Sequence, residues 1–179
     1  MAQTSTTLIS AKSHITSITG TDISLSATSG VYTISATSTV LTGAGKLAVG
    51  DLITVSGSAS NNSTFTVSTV VSTLEITVAE VVTSENADGS STITLDHVGF
   101  VSDKAKGDGY YSQPDGVHTV AYQVANDFNA DATIKMQGTL ATTPTEDDWF
   151  DIANTTFTAD GSTVTSSYNF TGNYVWVRS

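Results

Sequence analysis

Val49–Val78 reads VGDLITVSGSASNNSTFTVSTVVSTLEITV, and this stretch decides the fold class. Thr64–Val70 and Thr73–Val78 alternate apolar and hydroxyl side chains with period two, the spacing of a strand with one buried face. Leu52-Ile53-Thr54-Val55 is a third short run of the same composition, opened by Val49-Gly50-Asp51. Gly57–Asn62 between them is a cluster of residues that accept unusual backbone angles, so it reads as a turn. No helical recurrence of apolar positions fits here. The stretch is strand, polar turn, strand, tight turn, strand: an antiparallel meander.

The same grammar extends in both directions. Strands are predicted near Val31–Ala36, Leu52–Ser56, Thr64–Val70, Leu74–Ala79 and Ser91–Leu95, which makes 31–96 a small five-stranded module, a barrel or compact sandwich. Residues 1–30 read as edge strands or as an N-terminal arm, with Asp22–Ser26 the cleanest alternation. An arm of this low charge and high β-propensity can add as a strand to a neighbouring subunit through Leu8, Ile9, Ile15 and Ile18. Residues 97–116 read as a connector ending in the turn signal Pro114-Asp115-Gly116. Residues 117–179 read as a second β-domain, with strands at Val117–Val124, Ala132–Leu140, Thr163–Phe170 and Asn173–Val177. In the last of these, Tyr174, Trp176 and Arg178 fall on one strand face.

Composition supports the all-β reading and narrows the partners. Ser and Thr make up about a third of the 179 residues. Seventeen acids against six Lys and Arg give a net charge of −11. A phosphate backbone needs basic clusters, so nucleic acid is not an expected partner, and an anionic membrane is disfavoured for the same reason. There is no cysteine, which excludes disulfides and thiolate chemistry. Met1–Ser5 has neither a basic nor an apolar leader segment, and no run is long enough to span a bilayer as a helix.

Three segments of the first module, "VGDLITVSGSASNNSTFTVSTV", "LEITVAEVVTSE" and "STITL", resemble a β module that recurs in structural proteins of tailed phages. In the second half, "DGYYSQPDGVHTV", "IKMQGTLATTPTEDDWFDI" and "YNFTGNYVWVRS" resemble a β-sandwich unit in virion proteins of marine and cyanobacterial contractile-tailed phages. The resemblance implies a non-enzymatic virion protein without cofactor, assembled in the host cytoplasm. Its partners would be copies of itself, with a homotrimer the expected state, and other virion proteins such as the major capsid protein or tail components. Two compact modules favour a capsid decoration or accessory protein over a tail-fibre or baseplate component. A carbohydrate-binding module for host-surface glycans is the competing class.

The residues themselves offer few chemical constellations. Glu146, Asp147, Asp148 and Asp151 are four carboxylates in six positions, the composition of a hard-cation site, although the spacing is not that of an EF-hand and a solvated acidic turn is the plainer reading. His14, His97 and His118 are scattered. No nucleophile elbow, zinc-helix or phosphate-loop motif is present. Aromatic residues gather in the second half, where Trp149, Tyr110 and Tyr111 are candidate glycan contacts. Tyr174 and Trp176 are candidates for a subunit or partner interface.

Overall fold

A computed structural model describes residues 5–9, 12, 15–111, 116–125 and 132–179. The chain divides into two compact units, one of Ser13–Val101 and one of Met1–Lys12 with Ser102–Ser179. Both are antiparallel β, and the fold is all-β as the alternation predicts. Among the described residues the helical segments are two 3₁₀ turns, Asp108–Tyr111 and Glu146–Asp148. None is long and apolar enough to cross a membrane.

The Ser13–Val101 unit holds seven strands, five of them close to those expected from 31–96. They are β1 Ile18–Gly20, β2 Ile23–Thr28, β3 Val31–Ala36, β4 Asp51–Ser56, β5 Thr64–Ser72, β6 Glu75–Val78 and β7 Ile93–Phe100. The order is β1-β7-β4-β5-β6-β3-β2, with β4-β5-β6 the meander read from the sequence. The two extra strands come from residues 1–30. Ile18 faces Leu95 across β1 and β7, so this strand pairs within its own chain. β7 runs past residue 96 to Phe100, which pairs with Asp51.

β1 and β2 lie at opposite ends of this order, yet only Thr21 and Asp22 separate them. Three Cα–Cα steps reach at most about 11 Å, so the sheet must roll until its ends meet. β5 provides the corner. Its first residues pair with β4 and its later ones with β6, with register breaks between Val67 and Thr69 and between Val70 and Ser72. Such irregularities bend and twist a strand. The outer edge of β2 is further covered by Glu85, whose backbone exchanges two hydrogen bonds with Leu25 (2.9 and 2.8 Å). Inside the roll lie Ile23, Leu25, Ile34, Leu41, Ile53, Val55, Phe65, Val67, Ile76 and Leu95, all nearly inaccessible. The outside is hydroxyl-rich. Thr54 pairs with Thr64 (3.0 Å) and Thr69 with Thr77 (2.7 Å) across strands, which gives the abundant threonines a cross-strand role.

The ends of β4 explain the VGD and SGS motifs. Gly50 (φ 87°) and Gly57 (φ 79°) both adopt left-handed backbone angles. A Cβ on Gly50 would lie 2.3 Å from the Val101 carbonyl oxygen, and one on Gly57 would lie 2.1 Å from that of Thr92. Asp51 is fully buried, and its carboxylate accepts the Ala48 amide at 2.7 Å, closing the turn that starts the strand.

Carboxylates tie the loops of this unit. Asp22, at the β1–β2 corner, accepts from the amides and hydroxyls of Thr37, Ser38 and Thr39 just after β3. Glu85 accepts from the Ser58 hydroxyl (2.6 Å), the Ala59 amide (2.9 Å) and the Asn61 amide group (3.1 Å). Asp88 accepts the amides of Ser90 and Ser91 and the Ser91 hydroxyl. The Thr39 hydroxyl and amide hold the Asp22 carboxyl well below the usual range. The Ser91 hydroxyl does the same for Asp88, and the Ser58 hydroxyl lowers Glu85.

These depressed values set the sign of an acid effect. Carboxyls of the unfolded chain titrate near pH 4. Below that pH the unfolded state takes up protons that the folded state refuses, so the knots' contribution is complete above about pH 5 and is lost as pH falls towards the folded values. The urea midpoint is therefore expected to be level from pH 7 to 5 and to fall steadily from pH 4 to 2. Asp22→Asn should lower the midpoint at pH 7 and flatten the acid slope. A variant whose acid slope runs parallel to that of the wild type would show that the Asp22 knot does not contribute.

The second unit contains β8 Ala105–Lys106, β9 Val117–Val124, β10 Thr133–Ile134, β11 Gln137–Thr139, β12 Phe150–Asp151, β13 Phe157–Thr158, β14 Val164–Thr171 and β15 Trp176–Arg178. Its sheets are β12-β11-β15-β8, β9-β14 and β10-β13. The core is Tyr122, Val124, Met136, Ile152, Phe157, Ala159, Phe170 and Val177. The single strand expected over Ala132–Leu140 is two, broken at Lys135-Met136. The cause is buried Thr155. Its hydroxyl takes the Met136 amide (3.1 Å) and donates to the Ile152 carbonyl (2.7 Å), while Ile152 donates back to the Met136 carbonyl (2.9 Å). Tyr122 donates to the Thr155 carbonyl at 2.9 Å, and burial pushes its phenol up to about 12.

Candidate aromatic and cationic site

The four-stranded sheet of the second unit has two unlike faces. Register fixes them, because residues directly opposite on antiparallel strands point the same way. Val177 lies opposite Gly138 and Ala105, and Gly138 lies opposite Phe150. Val177 and Gly138 are buried, so this is the core side. Trp176 lies opposite Thr139 and Lys106, Arg178 opposite Gln137, and Gln137 opposite Asp151. This second set lies on the opposite face, where Thr139 and Arg178 are covered and Lys106 and Asp151 are exposed.

This second face concentrates the chain's cations. Four of its six Lys and Arg, namely Lys104, Lys106, Lys135 and Arg178, stand on or beside this face. Arg178 lies with its guanidinium carbon 4.2 Å from the Trp149 ring centre. It donates to Gln137 Oε1 (2.9 Å) and, through two nitrogens, to both oxygens of Glu146 (3.1 and 2.8 Å). Lys135 pairs with Asp151 at 2.6 Å. These two cations are neutralised by geometry suited to carboxylates.

Lys104 and Lys106 differ. Lys104 Nζ lies 4.8 Å from the Trp176 ring centre. Lys106 Nζ lies 4.1 Å from the Tyr110 ring and 5.7 Å from the Tyr111 ring. Neither is paired with a carboxylate among the described residues. Tyr110 packs on Trp176 with centroids 4.7 Å apart, and Tyr111 stands edge-on to Tyr110 at 5.2 Å. The rings are held from below. Gly107 and Gly109 donate to the Val175 and Tyr174 carbonyls (3.0 and 2.8 Å), and Trp176 Nε1 donates to the Thr142 carbonyl (3.1 Å). Asp108, which opens this 3₁₀ turn, accepts the Gly116 amide at 2.7 Å and lies 3.4 Å from His118 Nε2.

The expected site residues separate into groups. Tyr110, Tyr111 and Trp176 come together. Trp149 is half-buried beneath Arg178, two residues along β15 from Trp176. Tyr174 does not share the Trp176 face. The backbone bends at Val175 and β15 starts only at Trp176, so the expected alternation is broken. Its ring turns to the core side, over Gly138 and beside Phe170 and Phe150. There it helps to line a recess of about 280 Å³ with Ile152, Asn154 and Asn169. Lys104 and Lys106 escaped sequence reading because a two-residue strand leaves no periodicity.

The four clustered carboxylates disperse. Glu146 pairs with Arg178, Asp148 accepts the amide and hydroxyl of Thr145, Asp151 pairs with Lys135 and Gln137, and Asp147 is exposed. Among the described residues no group of three or more His, Asp or Glu is placed to hold a metal ion. Three of the aliphatic residues assigned to a subunit contact pack inside the chain. Ile15 and Ile18 are buried in the core of the first unit, and Leu8 packs against that of the second. Ile9 is half-buried. His97 stands 3.7 Å from Asp51, and His14 lies outside the described residues. No protein-family model, curated protein or solved structure matches the chain.

Proposed function

We propose that the chain is a non-catalytic structural component of a tailed-phage particle: a capsid decoration or accessory protein that assembles as a homotrimer on the major capsid protein. The observation that carries this reading is the use made of the carboxylates. A catalytic acid or base needs a value raised towards neutrality by burial or a like charge. Here Asp22, Glu85, Asp88, Asp148, Asp151 and Asp160 are all lowered, most of them by hydroxyl and amide donors that pin loops. Acids used as fixed acceptors cross-link a chain that has no cysteine, which suits a protein whose task is to hold shape. The phage-protein resemblance of both halves supplies the location.

The test is mass spectrometry of purified tailed particles, with light scattering of the isolated chain. Recovery in stoichiometric amounts with the capsid protein, and a trimer mass in solution, are expected. Absence from intact particles would overturn the reading, and recovery with detached tails alone would move it to a tail component.

A further inference from the structure

We propose that the face formed by Tyr110, Tyr111 and Trp176, with Lys104 and Lys106, binds an acidic saccharide, a sugar ring carrying a carboxylate or a sulfate. Three observations converge. The rings are exposed at their outer end, Tyr110 at 42% and Tyr111 at 57%. The segment that carries the tyrosines is held by main-chain hydrogen bonds from Gly107 and Gly109. Among the described residues the two ammonium groups sit beside the rings without carboxylate partners, while the neighbouring Lys135 and Arg178 are paired.

An aromatic ring offers a flat apolar surface to the C–H face of a pyranose, and an ammonium a few ångströms away offers a charge-assisted donor to an anion on the same ring. A neutral sugar would leave both ammonium groups without an anion. A nucleic acid fits poorly, since affinity for a phosphate backbone grows with the number of phosphates neutralised and two lysines on a chain of net charge −11 neutralise few. An acidic peptide bound through its main chain would add as a strand at the sheet edge, but the edge strand here, β8, is two residues long.

This inference does not rest on the particle reading, and the two can fail separately. The full chain, ¹⁵N-labelled, would be titrated with tetragalacturonate, a chondroitin sulfate tetrasaccharide, maltotetraose, tetraglutamate and an eight-residue oligothymidylate. At least one acidic saccharide should shift the Trp176 indole signal, bind about tenfold tighter than maltotetraose, and weaken with added salt. Binding of tetragalacturonate shows that a carboxylate suffices; chondroitin sulfate carries a carboxylate and a sulfate, so binding of it alone points to the sulfate. Tyr111→Ala and Lys106→Met should each weaken binding about tenfold, while Lys106→Arg should keep it. Both side chains are exposed, and the amide spectrum reports that each variant is folded. The proposal is overturned if neither acidic saccharide binds, if maltotetraose, tetraglutamate or oligothymidylate binds as tightly, or if Tyr111→Ala and Lys106→Met bind like the wild type.

Discussion

Gly57→Ala is expected to destabilise the first unit by about 2–5 kcal/mol, although the substitution adds one methyl group. Two terms contribute. The residue sits at φ 79°, where an L side chain costs about 1–2 kcal/mol. The new Cβ would also stand 2.1 Å from the Thr92 carbonyl oxygen, a backbone atom that cannot rotate away. Displacing packed structure by that amount costs about 1–3 kcal/mol. β7 begins one residue later, at Ile93, so relief would pull on the β4–β7 ladder, where Ser56 pairs with Thr94. Urea denaturation measures the effect. Ser56→Ala, next to it on an exposed position without these constraints, should change stability by less than about 0.5 kcal/mol. Equal midpoints for Gly57→Ala and the wild type would mean that the turn relaxes freely.

The second large effect is at Asn61. This side chain is buried and acts as a three-way node. Its carbonyl accepts the Thr83 amide (2.7 Å), and its amide donates to the Thr83 carbonyl (2.9 Å) and to Glu85 (3.1 Å). Asn61→Leu keeps the volume and removes all three, for a loss of about 1–3 kcal/mol, the cost of leaving partly buried polar groups unpaired. Asn61→Asp should be worse at neutral pH, at least about 3 kcal/mol, because a second carboxylate would face both the Thr83 carbonyl and Glu85. The two variants respond differently to acid. Protonating the new carboxylate restores a donor, so the Asn61→Asp deficit should shrink between pH 7 and 5, while that of Asn61→Leu should not. Denaturation midpoints at the two pH values decide it; a deficit for Asn61→Asp that stays constant would show that the node is open to water.

Both predictions fall within the stretch that revealed the fold class, and they mark how far that stretch could be read. Period two in Thr64–Val78 named the strands and their order because strand alternation is a local property. The Gly57–Asn62 cluster was legible as a turn for the same reason. Nothing local said that Gly57 is pressed against Thr92, or that Asn61 is a buried node rather than one more turn residue. Those roles depend on β7 and on the Thr83–Glu85 segment, more than twenty residues away along the chain.

The second unit shows the converse. Its longest strands, β9 and β14, were readable, while β8, β10 and β12 are two residues each and too short for any period to register. Tyr174 was assigned to the wrong face because alternation was carried across the bend at Val175. The aromatic residues were visible in composition; their grouping with Lys104 and Lys106 was not, since β8 and β15 are separated by most of the unit's sequence.

Sequence alone determined the all-β class, the order of the central meander, the absence of disulfides and the strongly acidic balance. Each of these follows from residue type or from spacing within a few positions. Tertiary structure alone decided that residues 18–28 close a rolled seven-stranded sheet, that Glu146, Asp148 and Asp151 are taken up in a cap and two ion pairs, and that Lys104 and Lys106, without carboxylate partners among the described residues, lie over aromatic rings. Each of these depends on strand register between distant segments, and register is fixed by packing rather than by the local pattern.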